Sequence, residues 1–216
     1  MTLTRRTRYS DSTRRALIDA AEVQFTEHGY AGTSLDAIVA GADVTKGALY
    51  HHFSGKQAVF EAVFERVEAQ ASEAITRAAD QHQDPWHRAQ AGVRAFLEAV
   101  QQPGYRRVVI IDGPSVLGHE RLREQEERST YATVLEIVRS VPTGGTWDPG
   151  EAMLDTVARI LFGALSAAGG AVATSADGAA AAARIEAAIS FIMAGLQSLI
   201  EQGAEVPDPS STADRA

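Results

Sequence analysis

Residues 44–56 read VTKGALYHHFSGK, and this stretch decides how the fold is interpreted. It holds the only two lysines of the 216-residue chain, together with a tyrosine and two adjacent histidines. Gly47 and Ala48 add almost no bulk among these polar side chains. A short helix with this composition could approach another surface closely and present several hydrogen-bonding groups to it.

Capping signals around this stretch predict closely spaced helices. The TSLD run at 33–36 fits a capping box and opens one short helix. Thr45 can cap a second that ends near His52, and the SGKQ run at 54–57 opens a long helix to about Ala79. Because isolated helices of about seven residues are marginal in water, we expect a helix-turn-helix held against a larger helical base.

The segment before these helices divides into an arm and a longer helix. Asp11 or Ser12 can cap a helix that ends near Gly29, a residue free to adopt positive φ. Residues 1–10 are predicted to be a flexible basic arm. Its arginines could reach either a minor groove or nearby phosphates: Arg5, Arg6 and Arg8.

Composition predicts an all-α protein with an uneven charge distribution. Alanine, leucine, glutamate and arginine, which favour helix, are plentiful. The chain carries a net charge of −8, but residues 1–60 have a net charge of +1 and the remainder −9. This asymmetry indicates a polyanion-binding head on an acidic body. The chain has no cysteine, which excludes disulfides and thiolate zinc sites.

The rest of the chain has longer helical elements. Five further helices are predicted, at about 84–100, 105–111, 118–140, 149–173 and 178–202. The Gly113-Pro114 pair is expected to end the second of these, and residues 141–150 are expected to be a loop. Residues 203–216 are expected to be disordered.

Residues 13–65, TRRALIDAAEVQFTEHGYAGTSLDAIVAGADVTKGALYHHFSGKQAVFEAVFE, resemble the N-terminal domain of TetR-type transcriptional repressors. The resemblance implies a helix-turn-helix domain at 11–56, joined by the fourth helix to a helical effector-binding and dimerisation domain at 57–202, with about nine helices in all. It also implies a bacterial homodimer that binds a palindromic operator and is released by a small molecule. The first fifteen residues lack the apolar core of a signal peptide, so we expect a cytoplasmic protein.

In such repressors, the start of helix two, the exposed face of helix three and a lysine of helix four contact DNA. The resemblance places these contacts on Thr33, Ser34, Thr45, Lys46, Gly47, Ala48, Tyr50, His51, His52 and Lys56. Lys56 is expected to bind phosphate, while Leu49 and Phe53 are expected to face inward. Asp43 stands where the family usually has glycine, and aspartate tolerates the left-handed φ that this turn needs.

The last two predicted helices carry apolar stripes that could form a four-helix bundle across a twofold axis. The residues expected at this dimer interface are Leu161, Leu165, Ala168, Ile185, Ile189, Ile192, Met193, Leu196 and Leu199. The alternative is that the stripes only complete a monomer core. The uncharged run at 160–176 is short for a membrane span and contains three glycines, so no membrane contact is expected.

The effector pocket is the least defined part of the sequence. Aromatic, apolar and polar candidates lie along the central helices: Phe64, Trp86, Phe96, His119, Leu122, Arg123, Tyr131, Trp147 and Phe162. His119 and Arg123 could orient a polar ligand. For each candidate, a place in the ordinary core or on the surface is favoured over a ligand contact.

Two alternative functions remain on the sequence alone: a regulator controlled by a protein partner, and an all-helical enzyme. The enzyme finds little support because Ser115 lacks the flanking glycines of a nucleophile elbow. His82 and His87 flank Trp86 without a third ligand at helical spacing. We therefore expect no catalytic residues, no metal site and no cofactor.

Overall fold

The computed structural model describes residues 5–141 and 150–203, with side chains described from residue 10 onward. Within these residues all regular structure is helical, and the all-α prediction is confirmed. The α-helices are α1 (Arg5–Gly32), α2 (Leu35–Gly41), α3 (Lys46–His52), α4 (Lys56–Ala79), α5 (Pro85–Gln101), α6 (Gly113–Arg128), α7 (Thr130–Ser140), α8 (Gly150–Thr174) and α9 (Gly178–Glu201). A π-helix, here called the π segment, occupies Tyr105–Asp112 between α5 and α6.

The first helix begins earlier than predicted. It starts at Arg5, so the expected flexible arm at 1–10 is wrong for its helical part, and neither Asp11 nor Ser12 caps a helix start. Arginine has a high helix propensity, and extending a helix that already packs on α4 requires no new nucleation. Residues 1–4 lie outside the described part of the chain.

Local capping positions the two short helices of the head. The Ser34 hydroxyl accepts the Ala37 N–H at 3.1 Å, and the Thr45 hydroxyl accepts the Ala48 N–H at 3.2 Å. Asp43 adopts the left-handed conformation that was expected for it, with φ of 52°. Two predicted caps are wrong by one residue: Ser34, not Thr33, caps α2, and Gly55, not Ser54, precedes α4.

A buried aromatic and aliphatic core fixes α2 and α3 to the longer helices. Phe25 and Phe60 are fully buried and meet edge to face at 5.2 Å, and the Tyr30 ring packs on both. Ile38 of α2 and Leu49 of α3 are also fully buried in this core. The short helices are therefore stabilised by tertiary packing, as their length requires.

The chain between α5 and α8 departs from the predicted pattern. The element predicted at 105–111 does end before Gly113-Pro114, but the chain continues directly into α6 without a non-helical break, because proline is tolerated in the first turn of a helix. Gly113 is needed there for close packing, since a Cβ would lie 2.9 Å from the Phe64 ring. The bends fall instead at Gly118, with φ of 76°, and at Ser129, which divides the predicted helix 118–140.

The predicted bounds of α5, α8 and α9 are confirmed to within two residues. Asp84 caps α5 by accepting the His87 N–H at 2.9 Å, as the Asp-Pro pair indicated. Asp177 caps α9 in the same way through the Ala180 N–H. The expected loop and tail lie mostly outside the described residues, at 142–149 and 204–216.

Gly29→Ala should reduce stability more than Gly118→Ala does. Gly29 has φ 70° and ψ 172°, and Gly118 has φ 76° and ψ 168°, a region that is essentially limited to glycine and costs an alanine roughly 1–3 kcal/mol. At Gly118 the added methyl would meet open space, but at Gly29 it would lie 1.8 Å from an Arg107 nitrogen. The guanidinium must then leave Asp112, so we expect a total loss of about 2–3 kcal/mol.

Urea denaturation of both variants beside the wild type measures this difference. Equal losses in the two variants would show that the Arg107 contact adds nothing to the backbone strain.

Candidate nucleic-acid interface

The α3 helix presents a polar face to solvent and an apolar face to the core. Lys46, Gly47, Tyr50 and His51 are exposed, and 54% of the Tyr50 surface is accessible. Leu49 is fully buried on the opposite face, as predicted. A Cβ at Gly47 would have only Thr45 Oγ1 nearby, at 3.9 Å. This side of α3 can therefore approach a large flat partner such as a DNA groove.

Lys46 is held by an acidic neighbour. Its Nζ lies 2.7 Å from Oδ1 of Asp36 in the first turn of α2, and both side chains are largely exposed. The hydrogen bond to Asp36, followed by the charge of that carboxylate, raises the pKa of Lys46. The sequence alone did not indicate this partner. An incoming phosphate would have to compete with Asp36 for the ammonium.

Lys56 does not have the free ammonium that was expected of a phosphate-binding lysine. Its Nζ donates to the carbonyl oxygens of Tyr30 at 2.7 Å and Thr33 at 2.8 Å, and lies 4.3 Å from the centroid of the Tyr30 ring. The side chain thus joins the start of α4 to the end of α1. The prediction is corrected: two of the three ammonium protons serve the fold, and only the third is left for DNA.

Thr33 is also misassigned as a DNA contact. Only 3% of its surface is accessible, and its hydroxyl donates to Gly29 O at 2.8 Å and to Gln24 O at 3.0 Å. The hydroxyl therefore secures the end of α1. Ser34 is exposed but uses its oxygen as a cap, so it would reach a phosphate through its backbone N–H or its hydroxyl proton. The Thr33 N–H already donates to Tyr30 O at 3.4 Å.

The two histidines end α3 beside an arginine of α1. His51 is exposed and His52 half-buried, with ring centroids 5.1 Å apart. Partial burial, followed by the nearby His51 and Arg14, lowers the pKa of His52. Arg14 lies over the Phe53 ring at 5.3 Å. The arginine adds positive charge next to the exposed face of α3.

The residues predicted for one effector pocket lie in different parts of the described structure. Phe64 and Phe96 belong to the main core, whereas Tyr131 and Phe162 meet edge to face at 5.7 Å in a second cluster. Trp86 and Leu122 are half-buried, and Leu122 packs on the main core.

The polar pocket candidates are also placed elsewhere. His119 is exposed, and Arg123 is exposed and pairs with Glu127 at 2.8 Å on its own helix. Trp147 lies outside the described residues. Surface clefts of about 500 and 490 Å³ lie along α1 and α4 and include none of the predicted pocket residues. Single-residue chemistry was therefore a poor guide to this part of the protein, where tertiary neighbours decide burial.

A buried polar cluster that the sequence analysis missed lies inside the body. Glu68 of α4 has only 2% of its surface accessible, and its carboxylate accepts hydrogen bonds from the hydroxyls of Tyr105 at 2.8 Å and of Thr130. Burial raises the pKa of Glu68 despite these bonds. Burial, followed by repulsion from Glu68, raises the pKa of Glu126 to about 7. The signal in the sequence was weak: a glutamate at a position where the helical pattern requires an apolar residue.

The α8 and α9 helices carry a wide apolar surface exposed to solvent. Its most accessible members are Ile160, Leu161, Phe191, Ile192, Leu196 and Leu199. Leu165 and Ile185 of the predicted stripe pack partly on the core, and Phe191, which the stripe did not include, has 82% of its surface accessible. The stripe as a dimer interface stays a prediction. The sequence pattern gave the helices but not which neighbours cover each face.

By length and composition alone both α8 and α9 could cross a membrane, whereas the sequence analysis considered only part of α8. Only 22% and 11% of their most apolar windows are buried in the single chain. This is weak evidence for a membrane, since helices of soluble proteins meet the same criterion. An interface between copies of the chain would cover the same surface.

No group of three or more potential metal ligands occurs in residues 5–141 and 150–203. His82 and His87 lie with ring centroids 6.1 Å apart, and His87 Nδ1 contacts Asp84 at 3.2 Å. His87 and Asp84 are thus engaged at the start of α5.

Two family models match the chain. Residues 86–196 match the model described as "Tetracyclin repressor-like, C-terminal domain", and residues 17–63 match "Bacterial regulatory proteins, tetR family". The second match contains α2 and α3 with their exposed polar face. Together the two models span the head and most of the body.

Individual relatives agree with these matches. The repressor BepR of Brucella suis is 36% identical over 87 residues, which are 40% of this chain and 42% of BepR. The TetC protein of transposon Tn10 from Escherichia coli is 42% identical over 55 residues, 26% of this chain and 28% of TetC. The chain thus spans less than half the length of these relatives.

A solved structure covers nearly the whole chain. The TetR-family transcriptional regulator from Pectobacterium atrosepticum is 30% identical, with a TM-score of 0.73 over 90% of this chain and 97% of that one. The FadR regulator of Bacillus subtilis, solved with stearoyl-CoA, has a TM-score of 0.61 at 15% identity, covering 82% and 97% of the two chains. The latter shows a shared fold only.

Lys56→Ala should destabilise the protein, whereas Lys46→Ala should not. Lys56 loses two hydrogen bonds to backbone carbonyls and its contact with the Tyr30 ring, which we expect to cost about 1–3 kcal/mol. Lys46 loses one exposed ion pair, which is worth less than about 1 kcal/mol. Urea denaturation of the two variants measures the difference: if the m-values are equal, the midpoints report the change in the free energy of unfolding. A loss in Lys46→Ala as large as in Lys56→Ala would contradict the assigned contacts.

Glu126→Gln should stabilise the protein at pH 8 but not below pH 4.5. Because the folded-state pKa of Glu126 is raised to about 7, its ionisation opposes folding, and this penalty develops between pH 4.5 and pH 7. The group is partly exposed, so we expect solvent screening to limit the gain to about 1 kcal/mol. Thermal unfolding at pH 8 and pH 4.5, with Glu124→Gln as the exposed control on the same helix, measures it. A gain of equal size at both pH values would contradict this origin.

Proposed function

Because the chain belongs to the TetR family of bacterial regulatory proteins, we propose that it represses transcription as a homodimer on a two-fold-symmetric operator and is released by a small molecule. Members of this family are DNA-binding regulators rather than enzymes. The observation that carries the proposal is the exposed polar face of α3, with Lys46, Tyr50 and His51 standing out from a buried Leu49.

In the proposed complex α3 enters the major groove with its N-terminal end nearest the bases. Lys46 can bond to guanine or phosphate, and Gly47 permits close approach. Tyr50, His51 and His52 can bond to phosphate or pack on sugar and thymine methyl groups. The contact expected from Lys56 is limited to its third proton, and Thr33 is withdrawn as a side-chain contact.

Dimerisation is supported by the exposed apolar surface of α8 and α9. A monomer that leaves Phe191 82% accessible and Ile160 66% accessible exposes a patch of the kind that marks an interaction site. Two copies related by a twofold axis would cover both patches with the same residues. Each operator half-site would then be read by one α3, about 34–36 Å apart along the DNA.

Effector binding is proposed for the helical body formed by α4 to α8, the region below the head. The buried Glu68, Tyr105 and Thr130 support it, since polar groups inside an apolar body can orient a small ligand. The family places the protein among soluble DNA-binding regulators, and we propose a cytoplasmic location.

Lys46→Ala and Asp36→Asn should change DNA binding in opposite directions. Removing Lys46 deletes a phosphate or base contact, so we expect the affinity for DNA to fall. The slope of the logarithm of the binding constant against the logarithm of salt concentration should decrease in magnitude by about one for each α3 that contacts DNA. Removing the Asp36 charge frees Lys46 and relieves repulsion from phosphate, so affinity should rise. Fluorescence anisotropy with DNA flanking the protein's own gene, at several salt concentrations, measures both.

Asp177→Asn is the control for Asp36→Asn. It removes one charge from an exposed cap in the α8–α9 turn, and asparagine preserves the cap. If it raises affinity as much as Asp36→Asn, the effect is due to net charge and not to Lys46. If wild type shows no saturable, sequence-dependent binding to any DNA from its own locus, the proposed function is not supported.

Phe191→Glu should convert the dimer to a monomer. In the interface, a glutamate at this position would be a buried charge without a partner. Its burial costs several kcal/mol, which is more than a single interface side chain usually contributes to binding. Val23→Glu is the matched control, because Val23 is 52% exposed on α1, away from α8 and α9. Sedimentation equilibrium gives the mass of each variant. A dimeric Phe191→Glu would place the interface elsewhere, and a monomeric wild type would contradict the proposed dimer.

A further inference from the structure

The π segment makes polar contacts at both ends, and they point to different parts of the molecule. Its first residue, Tyr105, reaches the buried carboxylate of Glu68 in the body. Its last residue, Asp112, reaches the backbone of Tyr30 in the head. Eight residues therefore connect the polar cluster of the body with the end of α1.

The contact with the head is specific. The Tyr30 N–H donates to Asp112 Oδ2 at 2.8 Å, and Arg107 Nε donates to the same oxygen at 3.1 Å. The Arg107 guanidinium lies over Gly29, where no Cβ could fit beside it. Gly29 is where α1 bends before α2, so these contacts fix the bend that orients the helix-turn-helix.

The contact with the body is equally enclosed. Tyr105 and Glu68 have 5% and 2% of their surfaces accessible, and the Tyr105 ring meets the Phe96 ring edge to face at 6.5 Å. The Tyr105 hydroxyl stabilises the buried Glu68 carboxylate together with the hydroxyl of Thr130. A change at Glu68 must therefore act on Tyr105 directly.

The winding of the segment makes both contacts possible. A π-helix bonds residue i to residue i+5, which places residues five apart, such as Arg107 and Asp112, above one another. In an α-helix of 3.6 residues per turn they would point about 140° apart. Tyr105 and Asp112, seven apart, would share one face of an α-helix, whereas π winding turns them toward opposite sides.

We infer that the π segment is a relay between the body and the head, whose π winding holds Asp112 on Tyr30 only while Tyr105 is held on Glu68. Displacement of Tyr105 lets the segment rewind toward α-helix. Asp112 then separates from Arg107 and from the Tyr30 N–H, and the bend at Gly29 loses its restraint. The contacts of the relay do not depend on the proposed function. Its consequence, a change in the orientation of α2 and α3, rests on that function.

Neighbouring contacts favour a change between two states over a gradual deformation. Val108, inside the segment, is fully buried, and Gly113 at its end packs against the Phe64 ring. Close-packed groups of this kind shift between discrete arrangements because intermediate positions overlap. An effector would act through its different affinity for the two windings.

Hydrogen exchange of the Tyr30 amide tests the relay without DNA or effector. Asp112→Asn should accelerate exchange at Tyr30 about tenfold or more, because the amide loses a charged acceptor. Tyr105→Phe changes the far end of the segment and removes the hydrogen bond to Glu68. It should nevertheless accelerate exchange of the Tyr30 amide several-fold. Glu68→Gln, of equal size and without charge, should act in the same direction and serves if Tyr105→Phe does not fold.

Tyr131→Phe is the matched control. It also removes a tyrosine hydroxyl bonded to a carboxylate, that of Asp155 at 2.6 Å, but in the second cluster. Acceleration at Tyr30 by Tyr105→Phe and not by Tyr131→Phe supports the relay. No acceleration by Tyr105→Phe and Glu68→Gln, or equal acceleration by Tyr131→Phe, overturns it.

DNA binding provides a second readout and separates the relay from the proposed function. With the same DNA fragment, Asp112→Asn should bind at least fivefold more weakly than wild type, whereas Glu124→Gln, an exposed charge-matched change on α6, should bind as wild type does. Equal binding by Asp112→Asn and wild type overturns the relay. Absence of binding by wild type contradicts the proposed function, while the exchange experiment still decides the relay.

Discussion

The ammonium group of Lys56 closes the head of the molecule onto its long fourth helix. It donates to the carbonyl oxygens of Tyr30 and Thr33 and lies over the Tyr30 ring, which itself packs against Phe60. A charged donor on two carbonyls is stronger than a neutral hydrogen bond, and here it joins residues 26 and 23 positions apart. Because α2 and α3 are each only seven residues long, their placement depends on restraints of this kind.

A second charge acts on the same short stretch from the opposite direction. Lys56 binds the Tyr30 carbonyl from α4, while Asp112 binds the Tyr30 N–H from the π segment. One peptide region is thus held by a cation of the fourth helix and an anion of the body. Of these two contacts, only that of Asp112 comes from a segment with π winding.

Local features of the fold could be predicted from the sequence, and long-range ones could not. Thr45 and Asp84 cap their helices as expected because capping depends on residues three positions away. The roles of Lys56 and Thr33 were misjudged because their partners are set by tertiary packing. Glu68 was missed for the same reason: nothing near it in the chain shows that Tyr105 and Thr130 will enclose it. Helical periodicity gave α8 and α9, but not which of their faces the rest of the chain covers.

In the proposed dimer, the exposed face of α8 and α9 sets the position of each body relative to the twofold axis. With the bodies fixed, the distance between the two α3 helices depends only on how each head is attached to its own body. That attachment passes through α4 and through the contact of Asp112 with the end of α1. When the contact at Tyr30 changes in both subunits, both heads turn relative to their bodies, whereas the DNA has a fixed repeat of about 34–36 Å between half-sites. The twofold arrangement therefore converts a local loss of one hydrogen bond into a mismatch with the operator.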